Sequence, residues 1–366
     1  MEILALTRYS TSGASSRFRF YQFIPFLEQY GWNVTVNALL KENYISFLYT
    51  KTPLPLFNII ESYFARVLLL LRKNRYDIIW LQQEAFPWIP AWFETALLKS
   101  NIPLVVDYDD AFFHRYDQHK SKIIQLFLKD KIDRVMNSAD VVIAGNDYLA
   151  ERAIKNNSKK VVILPTVVDI VNYKPVSHKK NGLFTIGWIG APSTAKYIFT
   201  IQEALKEIAL EDNVKIVFVG SGDIQMENVP VEIRKWDETT EVKEIQSFDV
   251  GIMPLDDTDW EKGKCGFKLI QYMACGKPVI GSPIGVNSKI IVDGENGYLA
   301  NNIEEWIKYF RIIKNEYELR DKMGSVGRAW VEEKYSLQVI APKLIQIFNN
   351  LIEERLQRNN KGFKNI

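Results

Sequence analysis

The 366-residue sequence predicts an α/β protein built from two doubly wound, Rossmann-like domains. Short β-branched or apolar runs alternate with amphipathic segments, the pattern of parallel β–α units. The alternation stops at 169–182, where Asn, Lys, Pro, Ser, His and Gly cluster without apolar periodicity, and then it restarts. A chain of this length also accommodates about two domains of ordinary size.

In chain order, the strand candidates of the first half are the apolar or β-branched runs at 3–6, 32–37, 78–81, 104–107, 141–144 and 161–164. Helical patterns at 18–30, 56–73, 123–138 and 149–155 lie between them. After the break, strands are expected at 184–189, 215–219, 250–254 and 278–281, with later helices at 303–315 and 319–334. This assigns 1–170 to a first domain, 169–182 to a linker and 182–336 to a second domain. The tail, about 337–366 and amphipathic over 337–356, reads as a helix that crosses back to pack on the first domain.

Composition narrows the function classes. Hydrophobic residues make up 47% and charged residues 25%, as in globular proteins with real cores. A net charge of +2 is too small to argue for a nucleic-acid partner. Two cysteines, Cys265 and Cys275, and three histidines in all supply neither a disulfide scaffold nor zinc-ligand spacing, so no metal site is expected. The first residues read as a strand, not a signal peptide. The longest apolar stretch, 57–71, carries Glu61 and Arg66 and falls short of the ~20 residues a span needs. The expected location is cytoplasmic, with at most a peripheral contact to the inner face of the cell membrane.

The densest chemistry lies in 264–287. A helix over about 266–275 is closed by Gly276 and followed by Lys277-Pro278 and a buried strand at 278–281. Lys268, Gln271 and Cys275 share one face of it, Leu269 and Met273 another. A helix N-terminus offers free N–H groups and a positive dipole end, which suits a diphosphate. Lys268 in the first turn adds a full charge, and Gln271 one turn on is in reach of a ribose hydroxyl. On pattern alone, the plainer alternative is a solvated lysine and a neutral helix former.

This segment resembles the donor-binding signature of the retaining GT-B glycosyltransferases of family 4, also called glycosyl transferases group 1. The family form is a Glu, seven residues, a second Glu, then Ala- or Tyr-Met-Ala and a Gly-x-Pro-Val strand. Here Gln271-Tyr272-Met273-Ala274-Cys275-Gly276-Lys277-Pro278-Val279-Ile280 matches its second half. Ser282–Asn287 and the Gly-rich, hairpin-like piece Asp293–Leu299 match its continuation. Gln271 stands at the second Glu and Gly263 at the first, with Asp259 and Glu261 the nearest carboxylates. Lys264 and Lys268 match the lysine variant of the signature. The resemblance implies two Rossmann-like domains facing a central cleft, and a donor held at Lys264, Cys265, Gly266, Phe267, Lys268 and Gln271. It implies no cofactor beyond the UDP- or GDP-sugar donor substrate.

Further matches follow along the chain. Gly190 ends the strand 184–189 in a turn that admits a phosphate, and Lys196 keeps a family lysine while Ala191 replaces an arginine. This segment lacks the Gly-x-Gly-x-x-Gly spacing of dehydrogenases. In the first domain, Gly13 sits in a hydroxyl-rich loop after strand one, and Arg17 and Arg19 are candidates for the diphosphate or an anionic acceptor, or else solvated residues of a helix start. Strand 104–107 ends in Asp107, Asp109 and Asp110, a crowd of carboxylates that favours a functional reading. In the family this edge ends in His-Asp, so Asp109 takes the catalytic place and Asp110 the sugar contact, with His114 a further candidate and Glu84 on the same side.

The implied reaction moves a sugar from a nucleotide sugar to a saccharide or lipid-linked acceptor, with retention, in surface polysaccharide or glycoconjugate synthesis. Lysines and helix amides then stabilise the leaving diphosphate. Gly263 and Gln271 also fit a second reading, a non-catalytic sugar-nucleotide-binding or scaffold subunit. Finally, Phe57, Ile60, Phe64, Val67, Leu68 and Leu71 recur at helical spacing among Lys41, Lys51, Arg66, Arg72, Lys73 and Arg75, with aromatics at 86–93. That stripe is either a lipid-facing surface or the core face of an ordinary helix.

Overall fold

The computed structural model describes residues 1–42, 44, 56–176 and 182–363. Two compact units account for them: Met1–Thr166 with Ile340–Ile366, and Val167–Val339.

The first unit holds a six-stranded sheet in the order β2-β1-β3-β4-β5-β6. Its strands are β1 (Glu2–Tyr9), β2 (Asn33–Leu40), β3 (Ile78–Gln82), β4 (Leu104–Tyr108), β5 (Val141–Ala144) and β6 (Val161–Ile163), every neighbouring pair parallel. Every residue of β3, β4 and β5 is buried, as expected for parallel strands covered on both faces. Trp80 of β3 stacks on Phe20 at 4.0 Å. Phe348, from the Leu337–Phe363 helix, meets Trp32 and Trp80 edge-on at 5.8 and 5.5 Å, so the end of the chain completes the core begun by its start.

The second unit repeats the architecture in the order β12-β11-β10-β7-β8-β9. These strands are β7 (Phe184–Ile189), β8 (Val214–Val219), β9 (Val231–Arg234), β10 (Val250–Met253), β11 (Val279–Gly281) and β12 (Gly297–Leu299). The strand order reverses between β1 and β3 in one sheet and between β7 and β10 in the other. Open parallel sheets bind ligands outside the carboxyl ends of the strands at such points.

Several elements differ from the sequence expectation for local reasons. The helix expected at 18–30 is two, Ala14–Arg19 and Ile24–Gln29, around a 3-10 turn at Tyr21–Phe23, because Pro25 lacks an N–H and starts a helix instead of continuing one. The helix expected at 123–138 splits into Lys122–Leu128 and Lys131–Ser138, and at the break Lys131 turns inward to donate to the carbonyls of Phe86 and Ile89 at 2.6 and 2.5 Å. β9 and β12 are edge strands too short to leave an apolar signature, and β12 pairs parallel with β11 instead of forming a hairpin. Residues 169–176 of the expected linker belong to the second unit, with Tyr173 buried and its hydroxyl donating to Glu241; 177–181 lie outside the described residues.

The apolar stripe of the Leu56–Leu71 helix is not a core face. Phe57, Ile60, Phe64 and Leu71 are exposed, whereas Ser62, Arg66 and Leu70 are buried. Arg66, expected on a basic surface, donates to the carbonyls of Thr7 (2.7 Å), Ala85 (3.2 Å) and Asn37 (2.5 Å) and to the Asn37 side chain (2.8 Å). Burial lowers its pKa to about 9. A buried guanidinium must find acceptors, and β1, β2 and the turn after β3 supply them. Lys51 lies outside the described residues.

Candidate functional site

In the second unit, β7 runs into Gly190, whose N–H donates to the Val219 carbonyl at 3.0 Å. A Cβ on Gly190 would stand 2.8 Å from Lys268 Cε and 2.6 Å from the Trp188 ring, so the missing side chain is the space through which Lys268 passes. Its ammonium lies 5.5 Å from the Trp188 ring centre. Lys268 stands in the first turn of the Phe267–Ala274 helix, whose N-cap, Gly266, is left-handed at φ 64° and contributes no side-chain cap. The helix is held by Tyr272, whose hydroxyl accepts from the Ile189 N–H at 3.0 Å and donates to the Ile252 carbonyl at 3.4 Å, bridging β7 and β10. Its N-terminus therefore opens at the switch point of the sheet.

Two more lysines converge there. The ammonium groups of Lys196 and Lys264 lie 4.7 and 5.7 Å from the Tyr197 ring centre. The Tyr197 hydroxyl donates to Glu261, which also accepts from Thr258 and is 3% exposed. Glu261, one of the two carboxylates nearest Gly263 in sequence, is thus committed inside the unit. Cys265 and Gly266 are buried beside the half-buried Phe267. Uncapped helix amides with three lysines at one sheet edge suit a diphosphate.

Gln271 is buried, and its amide nitrogen donates to Tyr173 Oη at 2.9 Å and Glu241 Oε1 at 3.0 Å. Glu241 also accepts from Trp236 Nε1 at 2.7 Å. These contacts engage the amide nitrogen, and the carbonyl oxygen, the atom able to meet a ribose hydroxyl, takes no part in them. Cys275, on the same helix face, is fully buried with its thiol pushed up to about 12 by burial, which keeps it in the unreactive thiol form.

In the first unit, Gly13 caps the Ala14–Arg19 helix, and a Cβ there would stand 2.3 Å from Tyr9 Cβ. Ser16 Oγ accepts from the Tyr9 N–H at 3.0 Å and donates to Gln82 Oε1 at 2.6 Å, fastening this loop to the end of β3. The carboxylates after β4 are not a crowd of unpaired charges. Asp107 is buried and bidentate with Arg19 at 2.8 and 3.0 Å, yet burial outweighs the arginine and raises its pKa to about 6. Arg19 also donates to the Leu164 carbonyl at 2.9 Å, so it is structural and not an anion ligand. Asp109, half-buried, accepts from Ser15 Oγ and, at 2.9 Å, from Gln83 Nε2. Asp110 is half-buried beside it, and Arg17 is buried with its guanidinium 4.6 Å from the Phe18 ring centre.

His114 and Glu84 are both held by side chains of the first unit. His114 Nδ1 pairs with Asp117 and Nε2 with Tyr148 Oη, each at 2.8 Å, which uses both ring nitrogens. Glu84 is buried with Arg8 at 3.4 Å, Lys131 at 3.2 Å and the Tyr116 hydroxyl at 2.7 Å. Missed from the sequence were the residues that position the candidates: Ser15 and Gln83 on Asp109, Trp188 and Tyr197 beside the lysines, and Tyr173 and Glu241 on Gln271. The available signals were the hydroxyl-rich loop around Gly13, which holds Ser15, and Gln82-Gln83-Glu84, a polar run directly after an apolar strand.

Comparison with known proteins follows this division. Residues 26–171 match the family described as Glycosyltransferase Family 4, and residues 183–313 match Glycosyl transferases group 1. An uncharacterized glycosyltransferase of Methanocaldococcus jannaschii is 22% identical over 359 residues, covering 91% of this chain and 90% of its own. The fold resembles sucrose-phosphate synthase from Thermosynechococcus elongatus (TM-score 0.70, 15% identity, 97% of this chain and 100% of that one). It equally resembles Anabaena HepE solved with UDP-glucose (TM-score 0.70, 16% identity, 96% and 100%). Two parallel six-stranded sheets with flanking helices are the GT-B architecture.

Proposed function

The chain belongs to the family 4, or group 1, glycosyltransferases, and from that premise we propose that it moves a sugar from a UDP- or GDP-sugar to a saccharide or lipid-linked acceptor. The observation that carries this reading is the set of lysines at the β7–β10 switch point: Lys268 passing Gly190, and Lys196 and Lys264 against Tyr197. As the sugar–phosphate bond breaks, the sugar becomes oxocarbenium-like and the leaving nucleoside diphosphate gathers negative charge. Fixed cations and helix amides bind that state more tightly than the ground state, and the chain's lysines do the work of charge neutralisation. Asp109, oriented by Ser15 and Gln83, is the carboxylate assigned to the acceptor hydroxyl or the transferred sugar. Retention of configuration follows the family pattern. The site of action is the cytoplasm at the inner face of the cell membrane, in surface polysaccharide or glycoconjugate synthesis.

One observation favours a second reading, a non-catalytic sugar-nucleotide-binding or scaffold subunit. Gly263, at the position of the family's sugar-contacting Glu, ends the Asp259–Lys262 helix and brings no carboxylate there. A panel of nucleotide sugars separates the two. We expect one UDP- or GDP-sugar to raise the melting temperature and free nucleoside diphosphate to accumulate once acceptors are supplied. Stabilisation without release across an acceptor panel supports the scaffold subunit, and no stabilisation by any donor removes both readings.

A further inference from the structure

The Leu56–Leu71 helix buries Ser62, Arg66 and Leu70 against the first unit, while Phe57 is 79%, Ile60 60% and Phe64 64% exposed. The Lys122–Leu128 helix also shows apolar residues to the outside, with Ile123, Leu126 and Phe127 each about 70% exposed. The turn between them joins the two surfaces. Tyr63 of the first helix donates to the Pro87 carbonyl at 2.9 Å, and Trp88 packs edge-on against Tyr116 and His119, just ahead of the second helix, at 5.3 and 5.8 Å. Trp88 is itself exposed, at a left-handed φ of 64°, and Lys131 pins its turn through the Phe86 and Ile89 carbonyls. Exposed apolar area on this scale is uncommon on a protein surrounded only by water.

The charges beside it select the partner. Arg72 and Arg75 follow the first helix, and Lys120, Lys122 and Lys129 flank the second, all exposed, against Glu61 and Asp130. We propose that this face docks the first unit on an anionic lipid surface, the Leu56–Leu71 helix lying in the plane of the interface with Phe57, Ile60 and Phe64 in the acyl boundary and the basic residues at the headgroups. The inference rests on the membrane-side location proposed above and names the surface responsible for it. An inward Arg66 leaves this helix with an apolar outer stripe that lipid covers and water does not.

Co-sedimentation with phosphatidylcholine vesicles, with and without phosphatidylglycerol, tests the proposal. Wild type is expected to bind the anionic vesicles, less so with added salt, and weakly the neutral ones. Phe57→Ser/Phe64→Ser and, independently, Ile123→Ser/Phe127→Ser are expected to melt normally and to bind roughly tenfold more weakly or worse. Absence of wild-type binding to anionic vesicles, or unchanged binding by both variants, overturns it. So does a dimer in analytical ultracentrifugation that Phe57→Ser/Phe64→Ser dissolves, which assigns the face to a second copy of the chain. Nucleoside diphosphate release with a water-soluble acceptor, measured on the same preparations, tells the failure of this surface from the failure of the transfer reading.

Discussion

Lys268 is where a single side chain is asked to do the most. Its stem passes over Gly190 and its ammonium lies beside Trp188 at the mouth of the second sheet, so it supports little core. Lys268→Ala is expected to lower donor turnover by ~2–4 kcal/mol of barrier, a loss of roughly 30- to 1000-fold, because a charge-assisted contact to a leaving diphosphate strengthens in the transition state. Melting should move little. Near wild-type turnover in the purified variant removes Lys268 from the diphosphate. The motif spacing made the place of Lys268 at the helix start legible. It did not reveal what Gln271 touches, because the partners Tyr173 and Glu241 are 98 and 30 positions away and only folding brings them to its amide. The same holds for Asp109: a carboxylate at a strand end can be read from sequence, whereas its donors, Ser15 and Gln83, come from the Ala14–Arg19 helix and the end of β3.

Among elements, the Leu56–Leu71 helix separates periodicity from direction. Helical spacing of apolar residues establishes a face but not what that face meets, and here the need of Arg66 for buried acceptors turned the stripe outward. The Ala91–Leu98 and Lys131–Ser138 helices are joined by buried charge, Lys131 lying 2.7 Å from Glu94 and 3.2 Å from Glu84. Burial, ahead of the nearby lysine, raises the Glu94 pKa from 4.5 to about 7. The folded state therefore holds this proton more tightly than the unfolded chain. Its contribution is fully present below pH 4.5 and is lost as pH rises through about 7. A shift of this size corresponds to roughly 3 kcal/mol. Melts at pH 5 and pH 8 should show wild type losing several degrees relative to Glu94→Gln over that interval (about 2–4 °C per kcal/mol). Parallel curves for the two proteins would sink the assignment.

For the whole molecule, the chain's end is as much a part of the first unit as its beginning. Phe348 is fully buried against Trp32 and Trp80, more than 260 positions upstream. Phe348→Ala is expected to cost the first unit about 3–5 kcal/mol, read as a lower denaturation midpoint. A loss below about 1 kcal/mol would mean that the helix only rests on the surface. By itself the sequence determined that this is an α/β protein with two parallel-sheet halves, because apolar runs and helical periods are local signals that burial on two faces imposes wherever a parallel sheet forms. It also determined the family, through a contiguous signature around Gln271–Ile280. Only the tertiary structure decided the edge strands β9 and β12, the inward turn of Arg66 and Lys131, and the pairing of Asp107 with Arg19. Each of those depends on where a distant segment supplies a hydrogen-bond partner or a counter-charge, and the energy of burying a polar group is set by that partner, not by its neighbours in sequence.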